Sequence, residues 1–468
     1  MTLYNPVISA SLLLLLAVFS RDSYGQIFYL TPTDNLQQIL DKSLPGDKVQ
    51  LAKGRYFGNF VMPQSIELAG DSGAIIDSQG AGHALVINAA DSYVHHLQLQ
   101  NWGSDLTTMD AAIFIAKEAT NTRVEQNHIS GGGFGIWVDG TRAAKVIGNQ
   151  IVGNNQLRST DRGNGIHLYN VTSAMVKDNK ISSTRDGIYI ESSNKNQLIN
   201  NQMQDLRYGI HYMYSYHNSL INNTTINTRT GYALMQSKYL TVVNNRSIND
   251  VNYGMLLNYI TYSKLQNNHI SGVQNRRNPQ MGKSTGRGLE GKALFIYNSL
   301  FNEFSHNQFS DSDIGIHLTA GSENNQLFNN AFINNKTQVK YVSSRGQDWS
   351  GNYWSDYLGW DMDGDGIGDA LYEPNDNVDR LLWKFPAARL LFNSPAIRTL
   401  QWVQTQFPVL KGSGVVDSAP LMKLPEKLQL GTSISKDSPK TAERSILKSV
   451  TAVGQPERVT AVSTTGIN

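Results

Sequence analysis

The residues of this sequence best suited to bind a soft metal ion lie in the stretch RYGIHYMYSYHN, residues 207–218. His211 and Met213 are two positions apart here, and Met235 follows Met213 after another 22 residues. Imidazole and thioether ligands together suit Cu(I) better than they suit calcium, zinc or iron. The same side chains also suit an apolar surface for a partner protein, or a wall with no further role. All three interpretations stay open at this stage.

A second motif, DMDGDGIGD, is rich in the hard oxygen ligands that calcium prefers. Four aspartates take positions 1, 3, 5 and 9 of this loop, with glycine at position 6: Asp361, Asp363, Asp365 and Asp369. This spacing is that of the first half of a calcium loop, although Tyr372 stands where a bidentate glutamate is expected. The motif predicts a structural divalent cation, with Ca²⁺ as the expected ion. A solvated acidic turn is the alternative.

Both motifs belong to a chain that is organised by an internal repeat. A recurring asparagine, in most repeats followed two residues later by an apolar residue, stands at Asn127, Asn149, Asn179, Asn201, Asn223, Asn245, Asn268, Asn307 and Asn330. Four of the eight intervals are 22 residues and two are 23. The two longer intervals contain insertions. A repeat of this length indicates a stacked architecture.

Each repeat contains short β-rich runs that are separated by Asn, Gly and Ser turns, without a helical period. The sequence therefore predicts an all-β fold, a right-handed parallel β-helix with coils of about 22 residues. The recurring asparagines should stack into a ladder inside the coil that satisfies its own amide groups. A strand-and-helix segment should cap the N-terminal end, and a helical segment should follow the last coil.

The domain organisation follows from changes in composition along the chain. An apolar run near the N-terminus and small residues up to Gly25 predict a signal peptide that is cleaved near Gly25. The predicted segments are a signal peptide at 1–25, an N-terminal cap with the first coils at 26–105, β-helix repeats at 106–345, an Asp-rich cation loop at 346–377, a helical segment at 378–422 and a disordered tail at 423–468. The net charge of +2 argues against nucleic acid as a partner.

Strand alternation predicts which side chains leave the coil. In the recurring Gly-Ile strands, the residue after glycine points inward, so the second and fourth residues after it point outward. One outward face therefore carries His167, Tyr189, Glu191, His211, Met213 and Met235. The histidines at turns and strand ends are expected to be hydrogen-bonded structural residues: His83, His95, His96, His128, His269 and His306.

The chain resembles the NosD family in the motifs GNGIHLYNVT, RDGIYIESS, LRYGIHYMYS, TGYALMQS, GNYWSDYLGWDMDGDGIGD and FPVL…GVVDSAPLM, which run from about residue 26 to Met422. The resemblance implies a periplasmic, non-enzymatic subunit of an ABC-transporter assembly, with partners in the membrane subunit and its ATPase. It also implies a copper chaperone lipoprotein and nitrous oxide reductase as partners, because the family matures the copper–sulfide centre of that enzyme. The cargo, copper or a sulfur species, stays open.

The resemblance also suggests roles for particular segments. Segment 378–422 would dock to the membrane subunit through the apolar residues Leu400, Trp402 and Phe407. The His/Met face would dock the chaperone or the reductase and would handle transient Cu(I).

A polysaccharide lyase or epimerase is the alternative from another functional class, because parallel β-helices commonly bind uronan chains along one wall. Such an enzyme needs a base, an acid and cationic groups that neutralise the substrate carboxylate. The candidates would be Arg185, Asp186, Arg207 and His211. The outward columns are otherwise short of clustered charges.

Overall fold

The computed structural model describes residues 25–275, 290–319, 321–341, 347–374, 394–396, 399, 403, 415–425 and 428. Most of the chain coils into three parallel sheets, which we call A, B and C in the order in which a coil visits them. Within these described residues, sheets A and B have 13 strands each and sheet C has 12. The all-β parallel β-helix predicted from the repeat is confirmed, and the coil is consistent with the right-handed form.

The strands are short, because each coil must turn at three corners. The strands of sheet A are Ile27–Leu30, Lys48–Leu51, Glu67–Gly70, Tyr93–His95, Arg123–Glu125, Lys145–Ile147, Met175–Lys177, Gln197–Ile199, Ser219–Ile221, Thr241–Val243, Lys264–Gln266, Glu303–Ser305 and Gln326–Phe328. Those of sheet B are Gly54–Phe57, Ala74–Asp77, Gln98–Gln100, His128–Gly131, Gln150–Gly153, Lys180–Ser182, Gln202–Gln204, Thr224–Ile226, Arg246–Ile248, His269–Ser271, Gln308–Ser310, Ala331–Ile333 and Tyr353–Trp354. Those of sheet C are Phe60–Met62, Leu85–Ile87, Ala111–Ile115, Phe134–Asp139, Ile166–Tyr169, Asp186–Glu191, Tyr208–Met213, Thr230–Met235, Tyr253–Asn258, Lys292–Tyr297, Ile314–Leu318 and Thr337–Tyr341.

One α-helix, Leu36–Lys42, covers the N-terminal opening of the coil. Asn35 caps it by accepting a hydrogen bond from the backbone N–H of Gln38 at 3.1 Å. The side chain of Gln37 then bonds both the N–H and the C=O of Val61 in the first strand of sheet C, at 2.9 and 3.0 Å. The helix thereby satisfies backbone groups that an open sheet edge would expose. A short 3₁₀ helix, Ser159–Asp161, lies in the first insertion.

The predicted asparagine ladder is confirmed inside the coil. Each ladder amide before the last donates to the side-chain oxygen of the next asparagine and to a backbone carbonyl of the preceding coil. Asn223, for example, donates to Asn245 Oδ1 at 3.0 Å and to Leu198 O at 2.9 Å. Its own Oδ1 accepts from the side chain of Asn201 at 2.9 Å. The ladder runs through Asn127, Asn149, Asn179, Asn201, Asn223, Asn245, Asn268, Asn307, Asn330 and Asn352.

The C-terminal end of the coil is closed by a return of the chain. Asp417 is fully buried and accepts hydrogen bonds from Trp354 Nε1 at 2.8 Å and from the N–H of Asn352 at 3.0 Å. Only parts of the predicted helical segment 378–422 are described, and its docking residues lie outside the described residues: Leu400, Trp402 and Phe407. Residues 1–24 and most of the predicted tail also lie outside them. In the described part of the chain, no helix is long and apolar enough to span a bilayer.

Candidate functional site

The outer face of sheet C carries the predicted His/Met residues in two neighbouring columns. His167, Tyr189 and His211 are partners in strand register, one above another. Glu191, Met213 and Met235 form the second column in the same way. Successive side chains of each column therefore lie one inter-strand spacing apart. We call these six residues the His/Met face.

A buried carboxylate fixes the orientation of the His211 ring. Asp186 lies one coil below, in a third outward column, and its Oδ2 is 3.1 Å from His211 Nδ1. The same carboxylate accepts two hydrogen bonds from Arg207, at 2.8 Å to Nε and at 2.6 Å to Nη2. Only about 1 % of the Asp186 side chain is exposed. Two donors and the carboxylate thus form one rigid polar cluster.

The charge state of Asp186 determines which His211 nitrogen carries the proton. Burial by itself would raise the pKa of Asp186, but hydrogen bonds from His211 and Arg207 outweigh burial and hold that pKa below its usual range. An ionised carboxylate only accepts hydrogen bonds, so the proton of neutral His211 resides on Nδ1. The lone pair then resides on Nε2, which points away from Asp186. This tautomer is the one that metal-binding histidines adopt when a carboxylate orients them.

Aromatic rings continue this cluster down the face of sheet C. The ring of His211 stacks on Tyr189, with centroids 4.5 Å apart and 29° between the planes. Tyr189 contacts His167 edge-on at 4.6 Å, and His167 contacts Trp137 at 3.9 Å. Burial also raises the pKa of Tyr189, so its hydroxyl stays protonated. The continuous stack restricts the ring movements of His167 and His211.

His167 differs from the exposed side chain that strand alternation alone would suggest. Phe134 and Trp137 cover it from the preceding strand of sheet C, and its side chain is only 6 % exposed. Leu106 from the preceding loop packs in turn against the cluster that contains Phe134 and Trp137. Burial lowers the pKa of His167 to about 3, so the ring is neutral at physiological pH. Its Nε2 has no hydrogen-bond partner and lies 4.0 Å from Glu191 Oε2. Trp137 is the register partner of His167, so the cover comes from the neighbouring coil.

The two methionines lie at the edge of this cluster and are half-buried. Met213 follows His211 by two residues on one strand, and Met235 is the register partner of Met213 on the next coil. The neighbouring corner exposes large aromatic residues, including Tyr214 and Tyr259. Two thioether side chains therefore share the outer face of sheet C with a histidine whose Nε2 points away from Asp186. This arrangement can hold a soft ion while leaving it accessible from solvent.

The Asp-rich loop forms a separate acidic cluster near the C-terminal end of the described coils. Carboxylate oxygens of Asp361, Asp363 and Asp365 lie within 4.8 Å of one another, which suits one cation with oxygen ligands. Asp369 is not part of this group, and its Oδ2 accepts a hydrogen bond from the N–H of Met362 at 2.7 Å. The carboxylate of Asp361 also accepts N–H groups of the loop itself. The loop is therefore folded around its own carboxylates.

The sequence alone missed the function of the column that contains Asp186. Asp186, Arg207 and His211 come together in the structure, whereas Arg185 meets this cluster through its backbone C=O, which accepts from the N–H of Arg207 at 2.9 Å, and its Nε is buried without a hydrogen-bond partner. Strict alternation would place the residue before glycine inward together with the residue after it, so the sequence carried no signal for this third outward column. The sequence also did not predict a stack of rings at the next corner, which is formed by His217, Tyr239, Tyr262 and Phe301.

Comparisons with known proteins identify the family of this chain. Residues 147–359 match the family model described as "Periplasmic copper-binding protein (NosD)". A protein of Pseudomonas aeruginosa named "Probable ABC transporter binding protein NosD" is 55 % identical over 399 residues, which are 84 % of this chain and 92 % of that protein. The protein of that name from Stutzerimonas stutzeri is 56 % identical over 384 residues, 81 % of this chain and 88 % of its own.

Among solved structures, the A-module of mannuronan C-5 epimerase AlgE6 from Azotobacter vinelandii matches with a TM-score of 0.51 at 13 % identity. The match covers 67 % of this chain and 91 % of that one, and it shows the fold alone. The family, in contrast, is shown by sequence identity along most of both chains. This chain belongs to the NosD family of periplasmic copper-binding, ABC-transporter binding proteins.

Proposed function

We propose that the protein is a non-catalytic subunit of an ABC-transporter assembly that handles Cu(I) during maturation of the copper–sulfide centre of nitrous oxide reductase. Copper is the cargo, and it binds transiently at His211, Met213 and Met235. A copper chaperone lipoprotein and the reductase dock on the same wall. The names of the curated relatives, which describe binding proteins, support a role without catalysis.

One observation carries this proposal: a carboxylate-oriented histidine lies beside two methionines. The contact between Asp186 and His211 Nδ1 leaves Nε2 of His211 as a ligand. Met213 and Met235 add thioether sulfur, which selects Cu(I) over zinc and over hard cations. The site has few strong ligands and is only partly buried, so an ion can enter and leave quickly. Those properties suit transfer between proteins better than storage.

The direct test is an anaerobic Cu(I) titration of the mature protein in the presence of a competing chelator. The variant Met213→Leu/Met235→Leu removes both sulfur atoms and nearly keeps the side-chain volume. We expect this variant to bind Cu(I) at least about tenfold more weakly than the wild type. Equal affinities would overturn the copper assignment, and the His/Met face would then be a protein contact surface only.

Met175 provides a matched control for this titration. It is a half-buried methionine on a strand of sheet A, and its register partners are Lys145 and Gln197. Neither neighbour is a soft ligand. Met175→Leu should therefore leave the Cu(I) affinity unchanged, whereas a loss in this variant would indicate nonspecific damage to the fold.

The place in reductase maturation has its own test in cells. A strain that lacks this protein should accumulate nitrous oxide reductase without the copper–sulfide centre, which visible absorption spectra of the purified enzyme report. Wild-type protein should restore the centre, and the Met213→Leu/Met235→Leu variant should restore it only partly. Full restoration by the variant would separate the maturation role from copper binding at this face.

Docking to the transporter is the next part of the proposal, and it rests on the family likeness. Segment 378–422 would contact the membrane subunit through Leu400, Trp402 and Phe407. Co-purification of the membrane subunit in detergent should be lost for Trp402→Ala/Phe407→Ala. The circular dichroism of the β-helix should not change in this variant. Retained co-purification would place the membrane contact elsewhere on the chain.

The Asp-rich loop contributes a structural cation to the proposed function. Asp361, Asp363 and Asp365 would ligate Ca²⁺, with Asp369 joining if it releases the N–H of Met362. The ion would stiffen the end of the coil from which the C-terminal segment leaves. It takes no part in copper transfer.

A further inference from the structure

Two adjacent histidines, His95 and His96, lie on the outer side of sheet A, away from the His/Met face. His95 ends the third-coil strand Tyr93–His95, and His96 follows it at the corner. Their Nδ1 atoms are 2.6 Å apart, and the rings meet nearly at right angles, with centroids 4.9 Å apart. Two imidazole nitrogens that face each other at this distance share one hydrogen between them. Such a pair of nitrogens can also chelate a metal ion.

A carboxylate determines the tautomer of His95. Oε1 of Glu67, one coil below, lies 3.0 Å from His95 Nε2 and 2.8 Å from Lys48 Nζ. Burial by itself would raise the pKa of Glu67, but hydrogen bonds from Lys48 and His95 outweigh burial and keep it below its usual value. The ionised carboxylate accepts Nε2–H, so the Nδ1 lone pair of His95 faces His96. The relation of Glu67 to His95 repeats that of Asp186 to His211.

The second ring is held in place by the backbone. His96 has a φ of 57°, in the left-handed region that residues other than glycine rarely adopt. This conformation turns the side chain back toward His95 and leaves it exposed to solvent. Tyr93 stacks on the other side of the His95 ring, with centroids 4.2 Å apart. One ring is therefore immobilised, and the other is accessible to an arriving ion.

The spacing of the two nitrogens suits adjacent positions around a square-planar ion. Two nitrogens that lie about 2.0 Å from one ion and at right angles are about 2.8 Å apart. The observed 2.6 Å needs an opening of only a few tenths of an ångström. The proton of His96 moves from Nδ1 to Nε2 when the ion binds, so the neutral pair loses no charge. Imidazole ligands in tetragonal geometry favour Cu(II), which also heads the affinity series of the divalent ions.

We propose that His95 and His96 form a second metal site on sheet A that binds Cu(II) through their two Nδ1 atoms. Water completes the coordination. Glu67 is a positioning residue, and the nearby charges of Lys48, Arg123 and Glu125 leave the surroundings close to neutral. The site lacks sulfur, so it prefers the oxidised ion, whereas the His/Met face prefers the reduced one. It is independent of the function proposed above.

The experiment is a Cu(II) titration of the mature protein with copper sulfate and glycine as competitor, read by electron paramagnetic resonance. We expect one tetragonal Cu(II) signal with hyperfine splitting from two imidazole nitrogens. His96→Asn keeps a residue that tolerates positive φ, and it should weaken binding at least about tenfold and remove one nitrogen from the signal. Glu67→Gln should weaken binding while both nitrogens stay in the signal.

The control is His217→Asn. His217 is also exposed at a φ of 57°, but it has no adjacent histidine, so this variant should bind Cu(II) like the wild type. The Met213→Leu/Met235→Leu variant should also retain the signal, which distinguishes this site from the His/Met face. An unchanged signal in His96→Asn would overturn the proposal, as would a wild-type signal without two imidazole nitrogens.

Discussion

The inside and the outside of the coil differ in how their polar side chains are hydrogen-bonded. Inside, the amide of Asn223 has two acceptors, and its oxygen has donors from the coil below. Outside, on sheet C, Nε2 of His167 and Nε1 of Trp137 are buried without partners. The interior repeats the same asparagine contacts from coil to coil, whereas the exterior columns change residue type at nearly every coil. The repeated interior contacts maintain the fold. The exterior positions that depart from the repeat are the ones that can carry a binding site.

Substitutions inside and outside the coil should therefore differ in how much stability they cost. A ladder asparagine has partners on two neighbouring coils, so its loss leaves several buried groups unsatisfied. An exterior side chain on sheet C contacts a few neighbouring side chains of the same face, so its loss should change binding more than stability. Each of the following predictions tests this division, in order of decreasing effect.

Asn223→Ala should give the largest loss of stability. The substitution leaves the N–H and the side-chain amide of Asn201 without their acceptor, and Leu198 O without its donor. We expect the free energy of unfolding to fall by about 3 kcal/mol or more, as measured by urea denaturation. Once folded, the variant should bind Cu(I) like the wild type.

The control for the ladder is the residue next to it. Asn222 is exposed at a φ of 57°, and Asn222→Asp keeps a side chain that tolerates this conformation. Its unfolding free energy should stay within about 0.5 kcal/mol of the wild type. If the two variants lost similar stability, the ladder would not be the stabilising element of the interior.

The ladder was predictable because every coil has the same requirement. A buried asparagine at one turn position recurs with the period of the coil, so Asn127 and Asn223 carry the same signal in the sequence. The His211 site was predictable only in part. The spacing of Gly-Ile strands placed His211 and Met213 on one face, but the contact of His211 with Asp186 joins residues of different coils and columns. No repeat encodes such a contact.

Covered and paired side chains were harder still to predict. The burial of His167 depends on Phe134 and Trp137. Leu106 packs against their cluster from a loop that belongs to no repeat. The pairing of His95 with His96 depends on a left-handed corner residue, which the sequence shows only as two adjacent histidines. In each case the missing information is the path of a corner or loop, because the strands alone follow the period of the sequence.

A buried carboxylate inside the coil should make stability depend on pH. Asp250 accepts hydrogen bonds from the hydroxyl groups of Thr225, Thr228 and Ser247. Burial raises its pKa from an ordinary value of 3.8 to about 6. The folded protein therefore binds this proton more tightly than the unfolded chain does. The associated stability is present below about pH 4 and is lost as pH rises through about 6, by about 3 kcal/mol.

Asp250→Asn should remove this contribution. The amide keeps the shape of the side chain, and the hydroxyl groups around it can rotate to accept its N–H. The difference in unfolding free energy between wild type and variant should therefore change between pH 4 and pH 7.5, to the disadvantage of the wild type at higher pH. The contributions of the other titrating groups to stability are the same in both proteins and cancel in that difference. Parallel stability curves for the two proteins would contradict the prediction.

On the exterior, Asp186→Asn should change metal affinity more than stability. The amide keeps the shape but loses the charge that orients His211 and balances Arg207. We expect Cu(I) binding to weaken about tenfold, the lower end of what loss of such an orienting group costs. Asp178→Asn is the control, because Asp178 lies at an exterior corner of sheet A, away from the His/Met face. Equal Cu(I) affinities of Asp186→Asn and the wild type would mean that the carboxylate is structural.

The Asp-rich loop should show the smallest effect, because its carboxylates already accept backbone N–H groups and lie in solvent. Excess Ca²⁺ should raise the free energy of unfolding by about 1 kcal/mol, as measured by thermal denaturation with and without chelator. Asp363→Asn should abolish this gain, and Asp369→Asn should reduce it less, because only Asp361, Asp363 and Asp365 converge. Mg²⁺ should replace Ca²⁺ poorly, since it requires shorter bonds and a stricter octahedron. An equal loss in Asp363→Asn and Asp369→Asn would mean that the loop closes fully around the ion, and that its exterior carboxylates are as cooperative as the asparagines inside the coil.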